Sequence, residues 1–105
     1  MLIAIVLAAL QQPTIRQEAE IAIRTANYVI CATIAAERFS TQSEPAETVA
    51  TAAYGSCPQE ALAVRRALLD GGFTDAQIPT ELANLRREHR AEILARIMEA
   101  RSSRR

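Results

Sequence analysis

Tryptophan and lysine are absent from this 105-residue chain, glycines number three, and the aromatics are Tyr28, Phe39, Tyr54 and Phe73 alone. The shortage of aromatic and β-branched clusters argues against strands. It also predicts a thin core built from small side chains. Formal charge balances to zero, which argues against a general nucleic-acid binder. His89 is the only histidine. Any triad or Cys-His arrangement would have to use it, and no nucleophile motif accompanies it. No internal repeat and no low-complexity tract is present. Gly71-Gly72 follows a helical pattern without a Lys-Ser or Lys-Thr, so it reads as a helix stop and not as a phosphate loop. Nothing in the composition calls for a cofactor, and the chain reads as non-enzymatic.

What the chain does contain begins with an apolar run, Leu2 to Leu10, closed by Gln11-Gln12-Pro13. As a helix that run spans roughly 13 Å, well short of a bilayer's ~30 Å hydrocarbon core. Three readings stand: a cleaved export signal, an uncleaved hydrophobic anchor, or a core element of a cytoplasmic fold. The first is favoured, although no Lys or Arg precedes the run and no Ala-x-Ala site follows it. Residues 1–12 are thus a signal or hydrophobic segment, residues 13–101 a single domain, and residues 102–105 a basic tail. The expected location is periplasmic or secreted, with an inner-membrane-anchored protein as the alternative.

Alanine is the commonest residue and the best helix former, so the fold class is all-α. The first helix runs from about Thr14 to Phe39. Ile15, Ala19, Ala22, Ile23, Ala26, Ile30 and Ile34 draw its apolar stripe, and Thr14 with Gln17 makes a capping box. Glu20 and Arg24 pair on another side. Ser40 to Glu44 is a polar turn. The second helix begins at Pro45 or just after it. Its stripe is Ala46, Val49, Ala50, Ala53, Cys57, Ala61, Val64 and Leu68, which stays in phase through Pro58. A kink or brief break is expected near residues 55–58, with Ser56 and Gln59 available to cap a fresh start. Asp70-Gly71-Gly72 ends it, with Gly71 placed at the left-handed position.

The third helix shows Thr74 as N-cap with Gln77 completing a capping box, and Phe73 stapled to Ile78. Pro79 predicts one turn, a kink, and a main helix over about residues 80–101. Leu82, Leu85, His89, Ile93, Ile97 and Ala100 form its stripe, widened by Leu94 and Met98, with Glu92 and Arg96 paired on the flank. It packs across the hairpin of the first two helices, or against a second copy of itself.

Cys31 and Cys57 can face each other across that hairpin. Cys31 lies about eight residues before the turn and Cys57 about twelve after it, a height difference of a few Å. A disulfide here would contribute about 3.5 kcal/mol by chain entropy. A redox-active pair is usually more closely spaced, and two distant thiols are too few for zinc. His89 and Glu92, one turn apart with Glu88 adjacent, are weak metal candidates for the same reason. The basic residues concentrate late, with nine Arg after residue 60 and three before it. Arg101, Arg104 and Arg105 therefore form a candidate contact with anionic lipid or an acidic partner.

Phe73-Thr-Asp-Ala-Gln77 resembles the Leu-Thr-x-x-Gln motif of Spy-type periplasmic chaperones and their metal-stress relatives. The charged segment Leu85 to Ile93 is similar to their long helices. The motif occurs once here, with Phe in the Leu place, and the two cysteines are not part of the pattern. The resemblance implies a small exported helical protein, a cradle-shaped dimer that holds unfolded clients or senses metals. The overall expectation is an exported, disulfide-pinned three-helix assembly with an interaction or structural role. The partner is an unidentified protein or a second copy. A membrane-associated accessory protein held by residues 1–12 is the alternative class.

Overall fold

The computed structural model describes residues 13–103. The apolar segment 1–12, with Arg104 and Arg105, lies outside them. The described residues form four helices and no strand: α1 (Ile15–Phe39), α2 (Ala46–Gly55), α3 (Pro58–Asp70) and α4 (Ile78–Ser102). α2 and α3 follow one path, so the architecture is a three-part assembly, with α1 leading up, α2–α3 returning, and α4 rising beside them.

Each boundary has a local cause. Thr14 Oγ1 accepts the N–H of Gln17 while Gln17 Oε1 accepts that of Thr14, so both halves of the capping box exist. The Gln17 amide also donates to the Asp70 carbonyl at 2.7 Å, tying the start of α1 to the end of α3. The break expected near residues 55–58 is present. Cys57 leaves helical geometry and Pro58 opens α3 in its first turn, where the missing N–H removes no helical bond. Ser56 does not cap the new helix. Its hydroxyl donates back to the Ala53 carbonyl and closes the old one.

α3 ends in a Schellman motif. The Phe73 N–H reaches the Leu68 carbonyl and the Gly72 N–H reaches that of Leu69. The left-handed residue is therefore Gly72, with φ of 97°, one position beyond the Gly71 expected. At Gly71 a β-carbon would lie 3.0 Å from Ile21 Cδ1, a tight contact that the end of the isoleucine side chain would have to relieve. Pro79 does not kink α4. Residues 74–77 form a turn, Gln77 takes the N-cap position, and Pro79 sits in the first turn. The Gln77 side chain accepts the Thr74 N–H at 2.8 Å, and Gln77's own N–H goes to the Thr74 carbonyl. The structure thus has half the expected box, because the helix begins where proline is tolerated.

The core joins all four helices. Tyr28, Ala32 and Ala36 of α1 and Val49 and Ala53 of α2 are buried, as are Val64 of α3 and Ile93 and Ile97 of α4. The α2–α3 stripe lies inward along its whole length, and the α4 stripe does so at Leu85, Ile93 and Ile97. Met98, expected to widen the latter, is exposed. The α1 stripe is overturned. Ile15, Ile23, Ile30 and Ile34 point outward, and the core face holds Tyr28, Ala32, Ala35 and Ala36. α1 is apolar on two sides, and the side with small residues is the one that lets neighbouring backbones come close.

Candidate functional site

Cys31 and Cys57 are joined by a disulfide with their Cα atoms 6.2 Å apart. Cys57 is buried and Cys31 is half-buried at the α1–α3 seam. Glu60 is near both sulfurs, but sulfurs bonded to each other offer no thiolate to a metal. The bridge points to an oxidising environment. Among the described residues no helix is long and apolar enough to cross a membrane.

His89 is partly buried, and its Nδ1 lies 3.6 Å from the Glu92 carboxylate, too far for a hydrogen bond. Glu92 therefore neighbours His89, where a pairing with Arg96 had been expected. No third ligand joins His89 and Glu92 among the described residues, and the pair makes no metal cage. Arg101 is not a free basic residue. Its guanidinium donates to the carbonyls of Ser40, Gln42 and Glu44, fastening the end of α4 to the α1–α2 turn.

The outer face of α1 is the most unusual surface. Ile15, Ile23, Ile30 and Ile34 are 88%, 53%, 56% and 55% exposed, and Ala19, Ala22 and Ala26 are exposed between them. With 3.6 residues per turn these positions fall within one stripe about 120° wide and ~28 Å long. Charged residues flank it: Arg24 pairs with Glu20 at 2.7 Å on one rim. Scattered exposed apolar residues are ordinary, whereas a contiguous apolar row, here with Arg16 at one edge, marks a contact surface. Beside it Ile30 and Ile34 run into a groove of about 620 Å³ between α1 and α3, lined also by Cys31, Phe39, Gln59 and Ala63. The disulfide supports this surface from below by holding α1 against α3.

The isoleucines were visible in the sequence as a stripe, but their direction was not. The tyrosine network was missed altogether. Tyr28, fully buried, accepts from both Nε and Nη2 of Arg86 at 3.2 Å. The Tyr28 and Tyr54 rings meet at 5.4 Å between centroids. Arg86 lies over the Tyr54 ring at 5.9 Å. Burial, more than the neighbouring Tyr28, pushes the Tyr54 hydroxyl up to about 12. A polar residue facing inward from a helix carries no periodic signal, so only packing reveals it.

No family model, curated protein or solved structure matches the chain.

Proposed function

We propose that this is an exported, non-enzymatic interaction protein that pairs with a second copy of itself through the outer face of α1. The periplasm or an extracellular space is its working compartment. The observation that carries this reading is the row of four exposed isoleucines on a helix whose opposite side already completes the core.

The row favours self-pairing for a geometric reason. Ile15, Ala19, Ile23, Ala26, Ile30 and Ile34 are separated by steps of four, four, three, four and four residues. The series reads the same from either end. An antiparallel copy places Ile15 against Ile34, Ala19 against Ile30, and Ile23 against Ala26, so two of these three layers set large against small. Each isoleucine removed from water contributes about 1.5–3 kcal/mol before association costs.

Sedimentation equilibrium of the oxidised protein tests it. A concentration-dependent dimer is expected, with Ile23→Glu and Ile30→Glu monomeric at unchanged helicity. A wild-type protein that stays monomeric at every concentration overturns self-pairing. The same apolar face favours a second reading, the Spy-like holding of unfolded clients. That reading predicts suppression of client aggregation at concentrations where the protein is monomeric. Intact mass of protein from its own host tests export: loss of residues 1–12 or nearby supports it. Retention of that segment, with release from membranes by detergent but not by salt, supports the anchored accessory class.

A further inference from the structure

A second surface, independent of the outer face of α1, lies between α2 and α4. It is a cleft of about 580 Å³, within the ~300–1,000 Å³ range of small-molecule sites. One wall is arginine: Arg86, Arg87 and Arg90 of α4 line it, with Glu47 of α2 opposite. Arg90 pairs with Glu47. Arg87 meets only its own-helix neighbour Asn84, at 3.4 Å, among the described residues. Arg86 and Arg90 are four residues apart, a spacing at which like charges repel. The cleft therefore carries an excess of positive charge that its own acid does not neutralise.

Arg86 is not a loose surface side chain. The fully buried Tyr28 phenol holds its Nε and Nη2, which orients the guanidinium over Tyr54. An arginine fixed in this way is preorganised, so less entropy is lost when it grips an anion. The floor is apolar, made by Ala50, Ala83 and the Tyr54 ring, with Gly55 at its edge. A β-carbon at Gly55 would meet nothing within 4 Å, so the space above it is open. The Tyr54 hydroxyl is buried and has no hydrogen-bond partner among the described residues. Such an orphan is uncommon in native interiors, where buried polar groups are nearly always paired.

We propose that this cleft binds a small organic anion, a carboxylate or phosphate carried on a flat apolar group. The anionic end pairs with Arg87 and the fixed Arg86. The apolar end lies on Ala50, Ala83 and the Tyr54 ring.

Titration of the oxidised full chain with phenyl phosphate, benzoate and the uncharged benzyl alcohol, followed by two-dimensional NMR at constant ionic strength, tests the assignment. Saturable shifts centred on Tyr54, Ala83 and Arg87 are expected for one or both anions and not for the alcohol, and the two anions compared show whether phosphate or carboxylate is preferred. Arg87→Ala should weaken binding about tenfold, the loss of one charge-assisted contact. Ala83→Leu should block it by filling the apolar floor while leaving every charge in place. Arg66→Ala, an exposed cation of α3, should leave it unchanged; circular dichroism checks that each variant folds. No saturable shift with either anion, equal weakening by Arg66→Ala, or normal binding by Ala83→Leu would each overturn the proposal.

Discussion

The two sides of α1 invert the usual expectation. The outer side holds Ile15, Ile23, Ile30 and Ile34, and the inner side is built largely from alanines around one tyrosine. Hydrophobicity alone would turn the isoleucines inward. Close packing chooses differently, because α1 must meet α2, α3 and α4 together. Ala32, Ala35 and Ala36 let those backbones approach, and Cys31 at the seam reaches Cys57. Tyr28 fills the remaining volume and directs its hydroxyl to Arg86. The inner side is thus a fit among small groups, locked by one covalent bond. The outer side is apolar surface without a partner among the described residues.

The largest test of that contrast removes the lock. Cys31→Ser with Cys57→Ser should cost about 3.5 kcal/mol, since the bridge closes a loop across a sequence separation of 26 residues. Urea denaturation with and without reductant measures it. If the loss is negligible, the alanine packing holds the hairpin by itself.

The next test crowds the inner side and thins the outer. Ala36→Leu should destabilise by about 1–3 kcal/mol, because Ala36 is fully buried and the surrounding backbones cannot retreat. Ile30→Ala, measured under conditions where the protein is monomeric, should change stability by no more than about 0.5 kcal/mol. Equal effects at the two positions would break the contrast. Replacing Arg101 by Ala should cost about 1–2 kcal/mol, since it unfastens α4 from the carbonyls of Ser40, Gln42 and Glu44. Thermal unfolding of the variant reads this directly.

The last effect appears only at alkaline pH. Burial raises the Tyr54 hydroxyl from 10.0 to about 12, with Tyr28 and Glu92 adding to the rise and Arg86 opposing it. The folded state therefore keeps a proton that the unfolded chain releases earlier. That contribution is complete below pH 10 and is lost as pH climbs through about 12. Tyr54→Phe should flatten the stability profile across this alkaline window, as measured by chemical denaturation at fixed pH values.

Much of this was legible beforehand. The α2–α3 stripe, the break before Pro58, the Thr14–Gln17 capping box and the cysteine pairing each leave a local signature in spacing or residue type. The boundary errors had one cause, two local signals competing for one place. Boundary signals competed at Thr74 and Pro79, and proline's fit to a first helical turn prevailed over a full capping box. Gly71 and Gly72 likewise offered two places for one left-handed residue, and the Schellman hydrogen bonds select the second. The arginine cleft left only a faint trace, Arg86, Arg87 and Arg90 on one side of a helix, which looks the same as a solvated surface.

The order of residues by itself determined that this chain is helical, where its helices start and stop to within a few positions, and that two sulfurs can meet across a hairpin. These follow from propensity, capping and periodicity, which act over a few neighbouring residues. Tertiary structure decided which side of α1 is buried, which arginines are tied down and which line a cleft. A helix apolar on two sides has no local preference between them. The choice belongs to the neighbouring helices, which pack against whichever side admits the closest approach.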